Sequence, residues 1–241
     1  MVRNLLTILG VLAGLTTVAA AADEPVFRNA TVSNAFDFTI AILDIDENGT
    51  GYSDEALCRT IIGIYPKGES ASAMQQIELE MPFPLNESKR PYYSEDSLVC
   101  PDINFDGHDD LVFLSGHMGS YGGPSFDIYL YEPDKKAFIR NEALEELGYM
   151  GLGLFKIDPE RKILGVSSKS GCCYHQYDEF VMENNLPVLV YTKSETLVWG
   201  GYFDENGGYH DEENLLEISE SRLVNGKWQT SEKQETLLID D

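Results

Sequence analysis

The sequence predicts an all-β protein made of antiparallel hairpin units in a propeller-like arrangement, with a β-sandwich as the alternative. Three observations predict it. Past the N-terminal segment, apolar and polar residues alternate, as in FDFTIAILD, where Phe36, Phe38, Ile40 and Ile42 point one way. Tight polar turns separate the alternating runs, among them Asn225-Gly226, the strongest short-range hairpin signal. Two stretches, DIYLYEPDKKAFIRN and EFVMENNLPVLVYTK, share one outline of strand, turn and strand, with turns opening at positions 132 and 183. That spacing, about 50 residues, hints at a repeating antiparallel unit.

Taken in order, residues 1–22 (MVRNLLTILGVLAGLTTVAAAA) carry one Arg, an apolar run and small residues ending in Ala20-Ala21-Ala22. This is the layout of a cleaved secretory signal, with cleavage expected before Asp23 and a mature chain of residues 23–241 forming a single domain. The run is diluted by Ala, Gly and Thr and leads into acidic sequence, which argues against a membrane anchor. No Cys precedes Cys58, so there is no lipoprotein site at this cleavage point, and no later apolar stretch is long enough to span a bilayer. Strands are predicted at 36–44, 59–65, 76–81, 111–114, 126–131 and 137–139. They continue at 154–157, 163–167, 177–182, 187–191, 196–203, 215–224 and 227–230. Residues 141–147 form the one short helix expected.

The chain has 241 residues, of which 43% are hydrophobic, enough to fill a core and exclude wholesale disorder. Its 17 basic residues against 41 acidic ones give a net charge of −24. That excludes a nucleic-acid binder of the phosphate-neutralising kind and disfavours docking on anionic lipid. Four cysteines in an exported chain predict two disulfides. Cys58–Cys100 with a vicinal Cys172–Cys173 bridge is favoured; the alternative joins Cys172 and Cys173 separately to the other two. Zinc-type CxxC spacing is absent. Sequons at Asn29, Asn48 and Asn86 matter only in a eukaryotic secretory route.

The sharpest motif is DINFDGHDDL, residues 102–111. Calcium takes six to eight oxygens, and a tight loop supplies them by pointing alternate side chains inward. Asp102, Asn104 and Asp106 alternate, Gly107 permits the turn, His108 offers its carbonyl and Asp110 closes the shell. The twelfth position is Phe113 rather than the Glu of an EF-hand, so no helix–loop–helix is implied. A possible second calcium loop, residues 44–55, has EF-hand spacing with Asp44, Asp46, Asn48, Gly49 and Glu55, on a segment that alternates like a strand. The cluster at 204–213 is spaced poorly for a metal and is read as a solvated loop.

This loop-plus-strand pattern resembles FG-GAP-type β-propeller repeats. With the surrounding chain it is similar to a narrower family of exported bacterial proteins carrying one DxNxDGxxDL loop, then a "YLY-P" hairpin and a later Gly/Ser-rich turn. The matching stretches are IYPKG (64–68), QQIEL (75–79), DINFDGHDDLVFLSG (102–116), FDIYLYEPDKKAFIRNEAL (126–144) and SSKSGCCYHQYDEF (167–180), so the resemblance spans roughly residues 58–193. It implies a calcium-dependent periplasmic or secreted immunity protein that protects against peptidoglycan hydrolases delivered by type IV secretion, or that inhibits lysozyme. SGCCY, Ser170 to Tyr174, fits the SGxxY motif of other periplasmic lysozyme inhibitors, and YEPDK, ending in Lys135, fits their YxxxK motif. A rigid loop with a hydroxyl or a lysine can enter a glycosidase cleft and meet its carboxylates, and a disulfide would stiffen it. The acidic surface would steer the chain to basic lysozymes.

Catalytic constellations are not evident. His108, His117, His175 and His210 form no HExxH, and there is no GxSxG, P-loop or dinucleotide fingerprint. Cys173 with His175 is the nearest to a nucleophile–base pair, and the adjacent Cys172 favours a disulfide instead. A non-enzyme is therefore expected. The leading expectation is a hydrolase inhibitor or immunity protein; a generic calcium-stabilised binding or adhesion module is the alternative, and a secreted hydrolase comes third.

Overall fold

The computed structural model describes residues 26–29, 31–69, 71–203, 205–210 and 214–237. The expected export signal and part of the acidic cluster at 204–213 lie outside them. The protein is nearly all β, and its strands follow one another as antiparallel meanders. The first sheet runs β1 (Val26–Asn29), β2 (Phe36–Asp46), β3 (Glu55–Pro66), β4 (Gln75–Pro84), in that spatial order. The second is β5 (Leu98–Val99), β6 (Leu111–Gly116), β7 (Ser125–Glu132), β8 (Ala137–Arg140). After helix α1 (Glu142–Met150) the third contains β9 (Lys156–Asp158), β10 (Ile163–Ser170), β11 (Tyr174–Glu183) and β12 (Leu186–Val198). A small ribbon, β13 (Tyr202–Phe203) and β14 (Tyr209–His210), precedes β15 (Asn214–Val224) and β16 (Lys227–Leu237), which extend the third sheet beyond β12. Among the described residues no helix is long and apolar enough to cross a membrane.

Side-chain periodicity explains how the sheets stack. In β2 the expected residues Phe36, Phe38, Ile40 and Ile42 are all buried, with the half-buried Asp37, Thr39 and Ala41 between them. They meet Ala56, Cys58, Ile62 and Ile64 of β3 and Ile77, Leu79, Met81 and Phe83 of β4. The second sheet is apolar on both faces. Leu111 and Phe113 of β6, Tyr129 of β7 and Phe138 of β8 pack into the core of the first sheet. Val112, Ile128 and Leu130 pack the other way, against Leu144 and Leu147 of α1 and Leu164 and Val166 of β10. The continuous apolar runs LVF and IYLY thus mark the part of the middle sheet that is covered on both faces, since successive strand residues face opposite sides. Each fully buried aliphatic or aromatic side chain contributes about 1.5–3 kcal/mol.

Local chemistry sets the boundaries. Asn141 caps α1, its side chain accepting the Leu144 amide at 3.1 Å, and Glu142 and Glu145 sit in the first turn where the helix dipole favours acids. Asn184 (φ 52°) with Asn185 (φ 63°), and Asn225 (φ 50°) with Gly226 (φ 73°), occupy left-handed conformations in the two-residue hairpin turns β11–β12 and β15–β16. Arg161, in the β9–β10 turn, grips the buried Glu179 of β11 with two bonds of 2.8 and 2.7 Å.

Candidate functional site

The acidic loop joins β5 to β6 and folds on its own side chains. Asp102 accepts the amides of Asp106 (3.0 Å) and Gly107 (2.9 Å), Asn104 accepts Asp106 N–H (3.2 Å), and Asp106 accepts His108 N–H (2.9 Å). Short acidic and amide side chains close turns in this way. Phe105 (φ 62°) and Gly107 (φ 90°) supply the sharp reversals. The His108 ring contributes a nitrogen 3.2 Å from Asp106 and lies against Tyr131, ring centroids 5.6 Å apart.

Asp110 differs from the others. It is fully buried, one oxygen accepting Ile103 N–H and the other Tyr131 N–H, both at 2.8 Å. Burial pushes its carboxyl up to about 7; the charges of Asp106 and Asp102 add to that, and the two amides oppose it. The loop also reaches all three sheets. Asp109 accepts Ser33 Oγ (2.6 Å) beside β2, Asp110 holds β7, and the Asn104 amide donates to Asn185 Oδ1 (3.0 Å) in the β11–β12 turn. Asn185 in turn accepts the side-chain amide of the helix cap Asn141 at 2.7 Å. Sequence reading missed Asp109, Asn141 and Asn185, because their partners lie 44 to 81 residues away.

The donors suit a hard cation: carboxylate and amide oxygens, no sulfur, and a buried carboxylate whose charged neighbours are two further carboxylates. Most of these oxygens accept backbone amides, Asp106 Oδ2 accepts the Asn104 side-chain amide at 3.0 Å, and among the described residues no three Asp, Glu, His or Cys side chains gather as a metal cluster. In the possible second loop the side chains meet separate partners. Asp44 accepts the amide of its own neighbour Ile45 (3.0 Å) and Asp46 that of Asn48 (3.0 Å), while Glu55 points away to His117 Nε2 at 2.7 Å. Asp44 and Asp46 on β2 and Glu55 on β3 flank the connection between these paired strands, so the segment sits on a hairpin, as its strand-like alternation implies.

The cysteines depart from the favoured pairing in one respect. Cys172 and Cys173 form the vicinal disulfide. Cys58 and Cys100 pack on the same core and are not joined. Burial, with Asp109 and Asp110 nearby, pushes the Cys100 thiol up to about 12.

The disulfide closes the tip of the β10–β11 hairpin. Ser170 and Tyr174 are cross-strand partners at its base, Gly171 turns the chain at φ 63°, and Gly171 and Cys172 are exposed. The Tyr174 hydroxyl donates along its own strand to Gln176 Oε1 (2.6 Å). With Cys173 oxidised, no thiol–imidazole pair with His175 exists. Lys135 lies in the β7–β8 turn, ion-paired with Glu132 at 2.6 Å. The tip instead touches Tyr121, which precedes β7, so the eight residues of that strand, about 25 Å, separate the two.

No model of a known protein family matches the chain, and no curated protein matches it. Among solved structures, the chain is similar to a Xanthomonas type IV secretion system related protein, at 23% identity and a TM-score of 0.57 over 85% of this chain and 92% of that one.

Proposed function

We propose that this chain is an exported, calcium-stabilised protein that binds and inhibits a peptidoglycan hydrolase of the lysozyme type, acting as an immunity or inhibitor protein in the periplasm or outside the cell. The observation that carries the reading is the β10–β11 tip: an exposed SGCCY turn stiffened by a vicinal disulfide and closed at its base by Ser170 and Tyr174. A preformed loop gives up little conformational entropy when it enters a cleft. The net charge of −24 supports a cationic partner through electrostatic steering. Similarity to a protein described as type IV secretion related is in keeping with a rival-delivered hydrolase as target. The chain acts by occupying the hydrolase cleft, not by turnover.

Asp102, Asn104, Asp106 and Asp110, with the carbonyl of His108, would hold the cation. Bound there, calcium supplies positive charge that offsets three neighbouring carboxylates and fixes the loop on which the sheets converge. The test is lysis of peptidoglycan by a cationic lysozyme, titrated with the protein in millimolar calcium and in EDTA. Stoichiometric inhibition in calcium that weakens in EDTA is expected; unimpaired lysis in calcium contradicts the reading. A generic calcium-stabilised binding module is the second reading, favoured by the succession of antiparallel meanders. Retention of the protein on insoluble peptidoglycan without any hydrolase would favour it.

A further inference from the structure

The hairpin tip is held from outside by one residue. The Tyr121 hydroxyl accepts the Gly171 amide at 2.7 Å and lies 3.5 Å from the carbonyl of Lys169, while the Lys169 ammonium sits 4.9 Å over the Tyr121 ring. The end of β10 and the first residue of the turn are therefore engaged by a single side chain from a different sheet's connection. The ring itself is 65% exposed, so it is not placed there by burial.

The backbone supporting Tyr121 is unusual. Tyr121 adopts φ 59°, ψ 28°, a left-handed conformation that an aromatic residue rarely takes and that strains an L-residue. A cage of turn bonds imposes it: Gly119 N–H to Gly123 O (2.9 Å), Gly122 N–H to Gly119 O (3.1 Å) and Gly123 N–H to Ser120 O (3.1 Å). A side chain at Gly119 would put its Cβ 2.5 Å from Pro124 O, so the cage closes only around glycine. Ser120 then anchors the cage to the end of α1, its hydroxyl 3.2 and 3.1 Å from the carbonyls of Tyr149 and Met150. A chain of contacts thus runs from the helix end through Ser120 and Tyr121 to Gly171. Strain retained at an exposed residue whose side chain meets a prospective binding loop points to a role there.

We infer that Tyr121 is a positioning residue for the β10–β11 tip, a strained brace that holds the SGCCY turn in its binding conformation. The inference deepens the inhibitor reading and rests on it for its consequence in binding. The brace also places the exposed ring against Gly171 and Lys169, at the rim of whatever surface receives the tip.

The test uses the full protein with its disulfide intact and the variants Tyr121→Phe and Tyr121→Gly. Exchange of the Gly171 amide, followed by NMR in the free protein, reports the brace without any partner. Tyr121→Phe keeps the ring and removes the acceptor, and should speed that exchange by about three- to tenfold, with the melting temperature unchanged. Tyr121→Gly relieves the left-handed strain, and should speed exchange as much or more while the protein melts no lower. Inhibition of lysozyme in calcium should weaken by a similar factor in both variants. Unchanged Gly171 exchange in Tyr121→Phe overturns the inference, as does faster exchange with native inhibition in a protein that does inhibit. If the native protein inhibits nothing, the hydrolase reading fails, and the exchange measurement alone decides the brace.

Discussion

Asp110 ties the acidic loop to the β7 backbone, and its carboxyl is held near 7 where an aspartate ordinarily titrates at 3.8. In the calcium-free protein between about pH 4 and pH 7, the folded state keeps a proton that the unfolded chain has released, so stability falls as pH rises, by up to ~1.4 kcal/mol per unit. Melting in EDTA should therefore be lower at pH 7.5 than at pH 5, and a melt that rises instead contradicts the assignment. Asp110→Asn turns one of two buried acceptors into a donor facing an amide donor. Chemical denaturation in EDTA should show a loss of about 1–3 kcal/mol. A further residue-scale expectation concerns the thiols. Alkylation of the unfolded protein without reductant should label Cys58 and Cys100 and leave Cys172 and Cys173 unlabelled; recovery of a Cys58–Cys100 bridge contradicts the pairing described.

At the scale of elements, the two faces of the middle sheet make distinct demands. Phe113 is fully buried against the first sheet, so Phe113→Ala should destabilise by about 3–5 kcal/mol. Ile139, on β8, is 38% exposed, and Ile139→Ala should stay within roughly 0.5 kcal/mol. Similar losses for both, measured by denaturant unfolding, would mean that β8 is placed wrongly. Much of this layer was legible in the sequence. The alternation of Phe36 to Ile42 is a local property, and it names the buried face correctly. The two look-alike stretches are the hairpins β7–β8 and β11–β12, each the third and fourth strand of its meander, which explains their shared outline. The runs 187–191 and 196–203 were expected as separate strands, yet most of their length is the single strand β12, Leu186–Val198. Thr192 to Glu195 look polar because the third sheet is open to water there; their strand state comes from pairing with β11 and β15, which no local pattern reveals. Tyr121 escaped notice for a like reason: Gly171 lies 50 residues further along the chain.

Across the whole molecule, three meanders pack in sequence and the acidic loop sits where they converge, through Asp109, Asp110 and Asn104. The hairpin tip lies at the other end of β11 from the turn that Asn104 touches, so one strand connects the two candidate sites. The net charge of −24 acts over the entire surface. Association with a cationic hydrolase should slow by at least about tenfold as salt is raised from low ionic strength to well above physiological, while dissociation changes little. A salt-independent association rate, measured by stopped flow, would remove electrostatic steering from the account. The most direct test of the central claim compares native protein with the Cys172→Ser/Cys173→Ser variant as inhibitors of a cationic lysozyme in millimolar calcium. The account predicts inhibition by the native protein and about tenfold weaker inhibition by the variant at an unchanged melting temperature; equal inhibition by both, or none by the native protein, contradicts it.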